Sequence, residues 1–122
     1  MANISPTILN NALPNGVVQV TWTPVTESDT CLAVSFPGYD CLVAQVFGTF
    51  GSASIALQGS LDNSNFYAMS AKGGTTAIAI TTAGAKTPNE YANYYRPAST
   101  GGSSSSLTIV ALFQLRNSAR SA

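Results

Sequence analysis

The sequence predicts an all-β protein, an antiparallel β-sandwich of jelly-roll type with about eight strands. Three observations carry this expectation. Apolar and polar residues alternate along most of the chain, and no segment sustains a helical period. The alternating runs are short, and clusters of Gly, Pro, Asn, Asp and Ser separate them, which is the spacing of sandwiches and barrels. A length of 122 residues fits one domain around a single core.

The elements follow in order. VVQVTWT (17–23) sets Val18, Val20 and Trp22 against Gln19, Thr21 and Thr23. CLAVSF (31–36) and CLVAQVFGTF (41–50) bracket FPGYD and read as a hairpin centred on Pro37 and Gly38. ASIALQGSL (53–61) and FYAMS (66–70) come next, then TTAIAITT (75–82) after Gly73 and Gly74. EYANYYR (90–96) and LTIVALFQL (107–115) close the series, so the sandwich domain spans 17–116. Residues 1–16 contain Pro6, Pro14 and Gly16 and show no strand pattern; Ile4, Ile8, Leu9 and Leu13 are spaced apolar anchors. They read as an extended arm whose anchors are candidate interface residues. Residues 117–122 read as a polar, fraying tail. TGGSSSS (100–106) has linker composition and reads as a mobile loop tip between the last two strands.

Charge is scarce: 8% of residues are charged, against about 25% in an ordinary domain. Hydrophobic content is nevertheless 45%, and mean hydropathy is +0.18. A lone monomer would show water a large uncharged surface, so part of that surface is expected to be covered by other protein chains. The formal net charge is zero, and Lys72, Lys86, Arg96, Arg116 and Arg120 are scattered, which argues against nucleic acid as a partner. No apolar run approaches the ~20 residues of a membrane span, and no basic segment followed by an apolar one opens the sequence. The expectation is a soluble protein with no signal peptide and no membrane partner.

The inventory of reactive groups is thin. With no histidine there is no Ser/His/Asp triad and no imidazole ligand. Cys31 and Cys41 cannot alone make a structural zinc site, and the hairpin register would set them opposite Ala44 and Val34, so both read as small core residues. Glu27 and Asp29 in VTESDT form the one close pair of acids, in a loop composition that turn chemistry explains. GTFGS (48–52) lacks the GK[ST] ending of a phosphate loop. The chain is therefore expected to be no enzyme and to need no cofactor or metal.

LQGSLDNSNFYAMS (57–70) poses the sharpest choice. Asp62 and Ser64 match the first and third positions of a calcium loop, but Phe66, Tyr67 and Gly73 fall where it needs an acid or amide, a glycine and a glutamate. Asn63, Asn65, Phe66 and Tyr67 could form a glycan site, with amides beside aromatic rings. Asp and Asn also bond their own backbone, so LDNSNF equally suits a four-residue hairpin connection, and turn chemistry accounts for each of its residues.

LQGSLDNSNFYAMS together with YYRPASTGGSSSSLTIVALFQL resembles β-sandwich virion proteins of tailed bacteriophages, over residues 55–115. Small members of that group are capsid decoration, or cement, proteins. The resemblance implies a position on the capsid exterior, synthesis in the host cytoplasm, the major capsid protein as partner, and a homo-oligomer, commonly a trimer. The same hairpin and strand pattern also occurs in discoidin-like carbohydrate-binding sandwiches, which keeps a glycan-binding tail or spike module as the alternative. Tyr91, Tyr94, Tyr95 and Arg96 fall within six residues and are of the types enriched in binding hot spots. On one strand, Tyr91 and Tyr95 would share one face and Tyr94 and Arg96 the other, one pair belonging to the core.

Overall fold

The computed structural model describes residues 3–9, 17–26 and 29–115. Leu13, Glu27, Arg116 and the tail 117–122 lie outside the described residues. The described chain is all-β, without helix, in eleven strands: β1 (Asn3–Ile4), β2 (Thr7–Leu9), β3 (Val17–Val25), β4 (Thr30–Cys31), β5 (Val34–Ser35), β6 (Tyr39–Thr49), β7 (Ala53–Ser60), β8 (Phe66–Ala68), β9 (Gly84–Lys86), β10 (Tyr94–Gly101) and β11 (Ser106–Leu115). Two antiparallel sheets are formed, β2-β3-β11-β6-β9 and β5-β10-β7-β8, and β1 pairs parallel with β4 beside them.

Alternation places the core. Val18, Val20 and Trp22 of β3, Val46 of β6 and Ile109, Ala111 and Phe113 of β11 face inward from the larger sheet. Ile55 and Leu57 of β7 and Tyr95 of β10 meet them from the smaller one, and the Tyr95 and Phe113 rings touch edge to face at 4.8 Å. The two sheets thus enclose one hydrophobic core, a β-sandwich arrangement. Pro24 is tolerated inside β3 because the β3–β11 register slips there, between Leu107 and Ile109, and a bulge asks nothing of the missing N–H.

Three expectations are corrected, each for a physical reason. CLAVSF is two short strands, because the Leu32 N–H donates to the Ile4 carbonyl and its carbonyl accepts from Trp22 Nε1, at 2.9 and 2.8 Å. The FPGYD turn exists, with Tyr39 N–H donating to Phe36 O at 3.1 Å and Gly38 at φ 82°, but it joins no hairpin. β5 pairs with β10 and β6 with β11, so the chain crosses from one sheet to the other. TTAIAITT buries Ile78 and Ile80 as its alternation requires, yet it makes only isolated bridges, Ile80 pairing Ile55 on the β7 edge beyond the end of β8. The pairing strand is the next segment, β9.

The region read as a strandless arm contains β1 and β2. Thr7–Leu9 pairs with Gln19–Thr21 of β3, and Ile4 packs against the core. Ile8, opposite Val20, is 44% exposed. The Gly/Ser segment is also anchored: β10 runs to Gly101, the Ser103 N–H donates to Gly51 O at 2.9 Å, and Ser105 is buried.

Candidate interaction faces

The LDNSNF connection is built on Asp62. It joins β7 to β8 with five residues, since Ser60 pairs with Phe66. Asp62 Oδ1 accepts from the Ser64 and Asn65 backbone N–H groups, both at 2.9 Å, and Oδ2 accepts from the Asn65 amide at 2.9 Å. Ser60 Oγ donates to Asp62 Oδ1 at 3.0 Å while accepting from Asp62 N–H and Asn63 N–H. Asn63 sits at φ 62°, a conformation that Asn tolerates better than most residues. The N–H groups of Asn65 and Ser64, then the Asn65 amide and the Ser60 hydroxyl, hold the Asp62 carboxyl well below the usual aspartate range. A carboxylate depressed in the folded state stabilises above its unfolded value of about 3.9, and that contribution is lost as the pH falls below it. Thermal melting of Asp62→Asn should therefore be less pH-sensitive than wild type below about pH 4; equal acid sensitivity would count against this role. Asn63→Ala should cost about 1 kcal/mol and Asn63→Gly only a few tenths, the difference being the left-handed strain.

The four residues weighed as a glycan site do not converge. Phe66 and Tyr67 are neighbours in β8 and face opposite sides of the sheet. Tyr67 packs against the core, and its hydroxyl donates to the Tyr91 carbonyl. Phe66 lies outside, under a guanidinium. Asn65 is engaged with Asp62.

The Tyr/Arg run is divided as well. Tyr95 is fully buried, its hydroxyl donating to Tyr39 O at 2.8 Å and accepting from Ala92 N–H at 3.1 Å, so it belongs to the core and not to an interface. Tyr91 precedes β10 and is 62% exposed; with Leu42 and Lys72 it borders a cavity of about 340 Å³. Only Tyr94 and Arg96 share the outer face of the smaller sheet, both half-buried. The register runs Tyr94–Ser60–Phe66 and Arg96–Gln58–Ala68 across three strands. The Arg96 guanidinium stacks 3.7 Å above the Phe66 ring, and its Nε donates to Gln58 Oε1 at 2.8 Å. Among the described residues no acceptor engages its terminal Nη groups. The result is a cation fixed on two sides with its fork left open. A cavity of about 170 Å³ lies beside it, lined also by Asp29, Thr30 and Gln58. Asp29 there is held by Thr26, whose N–H and hydroxyl donate to Oδ2.

A larger feature was not read from the sequence. The outer face of the five-stranded sheet carries a row that crosses all five strands, Thr7–Thr21–Val110–Gln45–Ala85. The flanking rows place Gln19, Leu112 and Val43 on one side and Thr108 and Phe47 on the other. None of these residues is charged; Asp40, opposite Gln114, stands at the end of the face.

Cys31 and Cys41 are buried free thiols. Burial, reinforced by Asp29 at Cys31 and by Asp40 at Cys41, pushes both up to about 12, although Arg96 and the Val43 backbone oppose it. Neither should react with a thiol reagent at pH 8 in the native protein, and both should react in denaturant. Rapid native labelling would refute their burial. Among the described residues no group of three or more His, Cys, Asp or Glu is placed to hold a metal ion. No protein-family model, curated protein or solved structure matches the chain.

Proposed function

We propose that this protein is a structural virion protein that decorates a phage capsid, binding across neighbouring capsid subunits as a homo-oligomer, with the trimer as the form the sequence resemblance implies. The observation that carries this reading is the Arg96 anchor. Its guanidinium is stacked on Phe66 and tied to Gln58, and no acceptor among the described residues engages its Nη groups, on a sheet face shared with Tyr94. Such an arginine loses little freedom on docking and matches a carboxylate or backbone carbonyls of a protein partner. The scarcity of charge supports the same reading, because a shell-covering protein has much of its surface against neighbours. The jelly-roll form of the sandwich is part of the proposal; the sheet-to-sheet crossings at β5–β6, β6–β7, β8–β9, β9–β10 and β10–β11 support it. The placement on the virion exterior and the major capsid protein as partner come from the resemblance.

Electron microscopy of undecorated capsids mixed with the purified protein tests this directly. Added density on the outer surface is expected, and bare capsids at saturating protein would overturn the reading. Arg96→Ala should reduce occupancy by about tenfold to a hundredfold, a hot-spot loss of roughly 1–3 kcal/mol, while leaving the chain folded.

A further inference from the structure

We propose that the outer face of the five-stranded sheet is where two copies of this chain meet, face to face about a two-fold axis. The inference rests on the self-assembly part of the function proposed above and assigns it a surface and a symmetry, a pair in place of the trimer.

Three features of the face favour a second copy over any other occupant. First, its central rows carry no charge among the described residues, Asp40 standing only at the end of the face. An isologous contact sets the groups near its axis against themselves, so a single lysine or carboxylate there would meet its like; the Thr7–Thr21–Val110–Gln45–Ala85 row contains neither. The smaller sheet presents Arg96 and is poorly suited to meet its own copy. Second, its polar groups are self-complementary. Thr7, Thr21, Thr23 and Thr108 carry hydroxyls, and Gln19 and Gln45 carry amides; each both donates and accepts, so each can pair with its equivalent. The Thr23 and Thr108 hydroxyls already do so with each other, at 2.8 Å.

Third, the area suffices. Strands about 4.8 Å apart with a rise of about 3.4 Å per residue give three long strands and two short ones a face of about 500–700 Å². Two such faces bury about 1,000–1,400 Å², at or above the roughly 1,000 Å² expected of a specific interface. Phe47, 42% exposed, with Val110, Leu112 and Val43 half-buried, supplies the apolar contact such an interface needs at its centre.

Sedimentation equilibrium of the full chain at about 50 µM tests the inference, that concentration lying above the dissociation constant of most specific complexes. The expected mass is twice 12.6 kDa. Val110→Lys and, as a more exposed site, Gln45→Lys should each return the single-chain mass, with circular dichroism showing a retained β fold. Thr100→Lys on the other sheet should leave the pair intact. A single-chain mass for wild type would overturn both this inference and the self-assembly reading. Three copies would overturn the two-fold pair alone. A wild-type pair that persists in folded Gln45→Lys would overturn the assignment of the face while leaving self-assembly standing. Capsid decoration is read separately, by microscopy.

Discussion

Tyr95→Ala is expected to destabilise the domain by about 3–5 kcal/mol, the usual cost of deleting a buried aromatic side chain. Against a total stability of about 5–15 kcal/mol, this leaves the protein marginal or unfolded at 37 °C. The ring is fully buried and packs on Phe113 from the opposite sheet, so the deletion opens a cavity at the seam of the sandwich. Tyr95→Phe isolates the polar part of the effect. It keeps the ring but removes the acceptor of the Ala92 N–H and the donor to the Tyr39 carbonyl, for about 1–3 kcal/mol. Urea unfolding followed by circular dichroism gives both values. If Tyr95→Ala unfolded within 1 kcal/mol of wild type while capsid occupancy collapsed, Tyr95 would be an interface residue after all; the structure leads us to expect the reverse. Arg96→Ala, one residue on, should act on binding and spare stability, because successive strand residues face opposite sides.

That contrast shows what the sequence disclosed and what it withheld. Period-two alternation located β3, β6, β7 and β11 because each has one buried face, and burial is what alternation records. It also separated Tyr95 from Tyr94 and Arg96. It erred on Tyr91 because β10 begins only at Tyr94, so extending the period back through Ala92 and Asn93 had no strand beneath it. CLAVSF loses its alternation, since Cys31 and Val34, three residues apart, are both buried; the Trp22 indole takes the Leu32 carbonyl between them, a tertiary bond that no local pattern announces. β2 was missed for the opposite reason: Thr-Ile-Leu at a sheet edge does not alternate, and its partner β3 lies beyond a stretch containing a proline and a glycine.

The candidate site divides along the same line. The Asp62 turn was legible because its bonds lie within six residues of sequence, although turn chemistry alone does not say which of its polar residues organises it. The Arg96–Phe66 stack was not legible, since it depends on β7 running between β10 and β8. The uncharged row across the larger sheet could be read only as a shortage of charge until the register showed which residues stand side by side. Composition gave the amount of uncharged surface, and pairing gave its place.

Gly48→Ala should be strongly destabilising although it adds a single methyl group. Gly48 sits in β6 opposite Leu107 of β11 at φ 126°, a backbone conformation that side chains rarely adopt. A Cβ there would run into the Ser106 carbonyl oxygen and lie 3.2 Å from Leu107 Cα. Those are backbone atoms of a paired strand, so no side-chain rotation relieves the contact. Strained φ and overpacking each cost about 1–3 kcal/mol, which sets the expected loss at about 2–6 kcal/mol. Gly48 opens the GTFGS segment, where it serves close approach between two strands. The effect should extend to assembly, because Phe47 is its neighbour on the outer face and moves with any shift of β6 away from β11. Sedimentation of folded Gly48→Ala below its melting temperature should therefore show weaker pairing than wild type, alongside the lower urea midpoint. An unchanged midpoint would mean that β6 and β11 do not approach as closely as the register requires.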